Sequence, residues 1–219
     1  MSPPDPASPR RPICYVGLGA SAGGLEALEA FFEATPPQNG MAFVVIQHLS
    51  PDYKSLMAEL LAKHTDMTVQ RAEEGMLVEP DTVYIIPPRK NLRLFHGKLL
   101  LSDQERNERG INLPIDVFLS SLAEDQGEKA VGIILSGTGS DGARGIRDIK
   151  EAGGMVLVQT EESARFDGMP RAAAGTGLAD FVLPVEEMPA KLLAFADHPY
   201  VTKPPQSSPL LLDEHRRAR

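Results

Sequence analysis

A serine hydroxyl attacks an acyl carbon when the chain supplies it with close-fitting neighbours, a base and a place for the oxyanion. Ser21 stands in GASAGG (19–24), between an apolar run at 13–18 and an amphipathic segment carrying Leu25, Leu28, Phe31 and Phe32. Gly19-x-Ser21-x-Gly23 fits the nucleophile-elbow pattern, in which a sharp, strained strand-to-helix turn exposes the hydroxyl and the new helix aims N–H groups at its target. Acyl transfer suits such a corner. Gly17, Gly19 and Gly23 also resemble a dinucleotide-binding turn, but with the spacing GxGxxxG in place of GxGxxG. MAFVVIQ (41–47) offers no acidic residue for a ribose. A tight turn with a purely packing role is the third reading, and this segment alone leaves all three open.

A serine nucleophile needs a base, and there are five histidines. His48 ends the apolar run MAFVVIQ and so should project at the carboxyl edge of a strand, the edge on which the Ser21 corner lies. His64 closes a helix, His96 sits in a turn, and His198 and His215 lie in or near a polar tail. The base in turn needs a carboxylate that fixes its tautomer. Asp141, in SGTGSDGARG (136–145), follows the most apolar strand and precedes a helix, a position that suits a helix N-cap equally well. The oxyanion donors expected are the N–H of Ala22 and one from the turn at 137–139. The order Ser21, His48, Asp141 differs from that of the α/β-hydrolases, so the elbow does not by itself imply that fold.

Strands alternate with helices around these residues. The pattern predicts strands at 13–18, 42–47, 130–136 and 155–159, and helices at 22–34, 52–64, 142–152 and 185–196. A further helix begins through Pro114 and runs to Gln126, with Ile115, Phe118, Leu119 and Leu122 on one apolar face. Continuous apolar strands such as AVGIILSG mean burial on both faces. The expected class is therefore α/β: a mostly parallel, doubly wound sheet with helices on both faces. In 67–101, VYIIP and LRLFHGKLLL read as short strands around a His96–Gly97 turn, an antiparallel hairpin at the sheet edge. RFDGMPRAAAGTG (165–177) reads as a loop and one short helix.

The chain has 219 residues, 42% of them hydrophobic, enough for one domain with a sizeable core. Residues 1–12 read as a disordered Pro- and Ser-rich segment, 13–196 as the catalytic domain and 197–219 as a polar linker or tail. A net charge of −8 argues against nucleic acid or anionic lipid as partner. The single cysteine, Cys14, allows no intramolecular disulfide or thiolate metal cluster and reads as core filler. No apolar stretch is long enough for a bilayer and the N-terminus lacks a secretory h-region, so membrane insertion is not expected and a cytoplasmic location is. Neither a metal nor a cofactor is expected.

GASAGG, QHLSP (47–51), GTGSDGARG (137–145) and FDGMPRAA (166–173) follow one another in an order and at separations that resemble the catalytic domain of the CheB family. These are bacterial protein-glutamate methylesterases of chemotaxis-type signalling, and the likeness runs from 13 to 195. It implies hydrolysis of glutamate methyl esters on the cytoplasmic helices of chemoreceptors, with release of methanol, and in some members deamidation of receptor glutamines. By position it makes Ser21 the nucleophile, His48 the general base and Asp141 the orienting acid. Ala22 and Thr138 supply the oxyanion N–H groups, and Met169 and Pro170 line the cleft. Ala22 stands where many members have Thr, and Asn112-Leu113-Pro114 where many have a basic HRP stretch. No receiver-like segment precedes 13, so together with the polar tail the chain resembles the methylesterase unit of a fused methylesterase and methyltransferase. A non-catalytic receptor-binding module on the same fold is the alternative.

Overall fold

The computed structural model describes residues 11–47, 56–104 and 112–197. Seven parallel strands form one sheet in the order β3-β4-β2-β1-β7-β8-β9. At its centre lie β1 (Tyr15–Ala20), β2 (Ala42–Gln47), β7 (Ala130–Ile134) and β8 (Met155–Gln159). Every residue of β1, β7 and β8 is buried, as a strand covered on both faces requires. The flanking strands are β4 (Thr82–Ile85), β3 (Thr68–Arg71) and β9 (Phe181–Leu183).

One face carries α1 (Gly24–Glu33), α2 (Met57–Leu61) and α6 (Met188–Ala196). Its core includes Phe31, Phe32 and Phe43, whose rings meet edge-to-face with centroids 5.2 to 6.0 Å apart. The other face carries α3 (Pro114–Gln126), α4 (Gly145–Glu151) and α5 (Gly168–Ala174). The α3 helix starts with Pro at its first position and buries Ile115, Phe118, Leu119 and Leu122, the predicted stripe. It can approach β1 because β1 lacks side chains there. A Cβ on Gly17 would stand 2.7 Å from Leu119 Cδ2, and one on Gly19 only 2.5 Å from Ile115 Cγ2. These two glycines therefore serve helix-on-strand packing, which removes the basis of the dinucleotide reading.

The hairpin turns at His96–Gly97, where both residues have positive φ (50° and 73°), as a two-residue type I′ connection demands. Its strands, β5 (Lys90–Phe95) and β6 (Lys98–Asp103), form a separate two-stranded sheet. That sheet is tied to α3 by the Leu94 N–H, which donates to Ser121 Oγ at 3.0 Å. The VYII segment is no part of it. As β4 it lies between β2 and β3 in the parallel sheet, because it is buried throughout and carries no turn of its own. Other elements match expectation within a few residues: β1 starts two residues late, and α6 is preceded by a 3-10 turn, Val185–Glu187. Of the helix expected at 52–64, residues 52–55 lie outside the described residues. No helix among the described residues is long and apolar enough to cross a membrane.

Candidate active site

From β1 the chain turns into α1 on one face, whereas from its neighbour β7 it turns into α4 on the other. The two loops part at the carboxyl ends of these strands, the switch point at which open α/β sheets form their crevices. Ser21 follows β1 there, and the turn 135–144 follows β7.

The Ser21 corner turns on a glycine. Gly23 takes the left-handed conformation (φ 67°), and Gly24 N–H returns to Ser21 O at 2.9 Å. Ser21 is not among the non-glycine residues with positive φ, which in the described chain are Asp81, Arg89 and His96. The left-handed conformation that this corner needs is thus taken by a glycine two residues after the serine. Ser21 is half-buried and its N–H donates to Ser136 O at 3.0 Å. On its other side, Gln47 Nε2 at the end of β2 donates to Ser21 O at 3.4 Å.

The β7 turn presses against this corner. A Cβ on Gly137 would lie 2.9 Å from Ser21 Cβ and 2.3 Å from Met169 Sδ, so only glycine fits between them. Met169, 1% exposed, holds the turn from below through its N–H to Gly137 O at 2.8 Å, and Pro170 beside it is also buried. Thr138 is exposed at the crest and Ala22 is half-buried. The N–H groups of both donate to nothing among the described residues, as an oxyanion pair requires.

Asp141 lies deeper, 3% exposed. Its Oδ2 accepts Ile115 N–H at 3.0 Å and its Oδ1 accepts Asp116 N–H at 2.9 Å. The expected alternative role, capping the helix that follows it, is corrected: Asp141 caps α3 from 25 and 26 residues away. It replaces a local cap, since the residue at the N-cap position, Leu113, has no side-chain acceptor. A carboxylate offers about four acceptor positions. The two α3 amides fix its orientation.

Among the described residues, then, Ser21, Ala22, Thr138, Met169 and Pro170 gather around the Gly137 turn, with Asp141 four residues further along it. No hydrogen bond joins Ser21 to Asp141 among the described residues. His48 lies outside the described residues. The register pairs Ala20 with Gln47, the residues directly before Ser21 and His48 in sequence.

Three residues of the site were not singled out from sequence. Ser136, 1% exposed, bonds through its hydroxyl to Ala22 O at 2.8 Å and accepts Phe166 N–H at 3.0 Å. Gln159, 3% exposed, accepts Ser136 N–H at 2.8 Å and donates to Ser163 O at 3.0 Å. Both are polar residues closing apolar strands on the same edge, the signal that could have found them. Asp116 accepts the N–H groups of Gly142, Arg144 and Gly145. An acid in a first helical turn reads as a complement to the helix dipole, which hid this role. Burial pushes the Asp116 carboxyl above its ordinary range, the charge of Asp141 adds to this, and the three amides oppose it.

The CheB methylesterase family model matches residues 16–192. The chain is 35% identical over 191 residues to the protein-glutamate methylesterase FrzG of Myxococcus xanthus, covering 87% of this chain and 57% of that protein. It is 34% identical over 199 residues to a protein-glutamate methylesterase/protein-glutamine glutaminase of Burkholderia lata, covering 91% of this chain and 59% of that one. It therefore spans little more than half the length of these relatives. The crystal structure of the Thermotoga maritima CheB methylesterase catalytic domain superposes with a TM-score of 0.75 at 31% identity, over 86% of this chain and 99% of that one. By sequence and by fold, the chain belongs to the CheB methylesterase family.

Proposed function

We propose that the protein hydrolyses glutamate methyl esters on the helices of chemoreceptor-like signalling proteins, through Ser21, His48 and Asp141. The observation that carries this reading is the seating of the Ser21 corner against the Gly137 turn, with backbone N–H groups on either side, those of Ala22 and Thr138, that donate to nothing among the described residues. The names of the relatives supply the ester.

In this reading Ser21 Oγ attacks the ester carbonyl as His48 takes its proton. Asp141, held by the α3 amides, orients and stabilises the resulting imidazolium. The oxyanion forms between Ala22 and Thr138 N–H. His48 returns the proton to the methoxy oxygen and methanol leaves, with a glutamyl ester on Ser21. Water, deprotonated by His48, then releases the glutamate carboxylate and restores the hydroxyl. A receptor glutamine enters the same path with ammonia as the leaving group.

The test is methanol release from a methylated chemoreceptor fragment, with Ser21→Ala and His48→Ala beside the wild type. Each variant should lose on the order of 10⁴-fold or more in kcat. A serine-directed phosphonate should label the wild type and not Ser21→Ala. Methanol release that persists unchanged in both variants overturns the triad.

A further inference from the structure

The two buried carboxylates on this face hold each other's helices. Asp116 lies in the first turn of α3 and donates its N–H to Asp141 Oδ1 at 2.9 Å. Asp116 Oδ1 in return accepts the N–H groups of Gly142 at 3.0 Å, Arg144 at 3.1 Å and Gly145 at 2.8 Å. Residue 142 follows Asp141 directly, so a closed ring of hydrogen bonds runs from the Asp141 carboxylate through Asp116 and back to the next peptide. Asp141 cannot rotate or shift without breaking a bond on one side of the ring. The helices meet tightly here: a Cβ on Gly145 would stand 2.6 Å from Leu119 Cβ and 3.2 Å from Asp116 Cα.

We propose that Asp116 is a positioning residue for ester hydrolysis, its carboxylate oxygen fixing the turn that carries Asp141. The inference rests on the assignment of Asp141 as the orienting acid. Asp116 is 7% exposed, and the described bonds of its carboxylate all come from backbone N–H groups of the turn after Asp141, so its effect falls on the chemical step and leaves substrate binding alone. A misplacement of about 1 Å remote from the reacting atoms costs on the order of 100-fold. What matters in this arrangement is an acceptor at the right point, and the Oδ1 of asparagine supplies one.

The experiment compares Asp116→Ala, Asp116→Asn and Asp141→Asn in the full chain by methanol release from a methylated chemoreceptor fragment, with circular dichroism to establish folding. Asp116→Ala should lower kcat by about 100-fold with KM unchanged within about threefold, and Asp116→Asn should recover kcat to within about fivefold of wild type. Equal losses in both Asp116 variants, a loss carried by KM, or no loss in either overturns the proposal. Should Asp116→Ala not fold, Asp116→Glu replaces it: this variant keeps the charge but moves the acceptor, so it should fall below Asp116→Asn, and the reverse order overturns the proposal. Failure of the triad itself reads differently, because Asp141→Asn would then leave methanol release intact.

Discussion

Ser136 ties its own turn to three other segments of the candidate site. Its carbonyl accepts Ser21 N–H, its hydroxyl bonds Ala22 O and Phe166 N–H, and its own N–H is taken by Gln159. Ser136→Ala leaves the carbonyl contact in place and strips the hydroxyl, removing the partner of the half-buried Ala22 carbonyl and of the Phe166 N–H. The expected cost is about 1 to 3 kcal/mol in urea unfolding, with kcat lowered more than KM is raised. Asp116 makes a second residue-scale prediction. Its native carboxyl sits above the ordinary value of 3.8, so the folded protein keeps this proton over a pH interval in which the unfolded chain has lost it. The stability due to that proton is present at low pH and is lost as pH rises through the native value. Asp116→Asn does not titrate, so its stability relative to wild type should improve between pH 4 and pH 7 in paired urea titrations. A gap that stays flat or moves the other way contradicts the assigned shift.

At the scale of elements, α3 is the piece on which the rest is aligned. It packs on β1 across Gly17 and Gly19, on α4 across Gly145, and carries the hairpin on its outer side. Gly19→Ala would drive a methyl into Ile115, the residue whose N–H binds Asp141 Oδ2. We expect a loss of about 1 to 3 kcal/mol in unfolding free energy and a fall in kcat along with it, since the helix and the carboxylate it holds move together. Most of this framework was legible beforehand. The apolar runs of β1, β2, β7 and β8, Pro114 and the His96–Gly97 turn announce themselves because burial, ring geometry and left-handed backbone each select few residue types. What escaped was short or reciprocal. β3 has four residues, none of them buried, and β9 has three. The partnership of Asp116 with the Asp141 turn spans 25 to 29 residues, and no periodicity records it. The Ser21 and Asp141 corners could be assigned to one edge of the sheet because glycine-rich turns after apolar strands mark that edge. That Gly23 and not Ser21 would take up the turn could not be read, since either residue satisfies the same pattern.

For the molecule as a whole, both faces of the central sheet are sealed, and Cys14, 0% exposed, sits inside one of the two cores. Burial raises its thiol pKa to about 12, against a small opposing pull from Lys129. At pH 8 the native thiol should therefore resist a thiol-reactive disulfide reagent, and its labelling should track global unfolding in urea. Fast labelling under native conditions would mean that the core opens locally near β1. The sealed core leaves the carboxyl edge of the sheet as the place where loops are free to specialise, and there the proposed reaction gives one group two duties. Because Asp141 closes off the start of α3, natural selection for a sound fold would preserve it even in a descendant that had abandoned its chemistry. Of the three residues assigned to the reaction, the aspartate is thus the poorest witness to activity, and a survey of diverged copies should weigh the serine and the histidine instead.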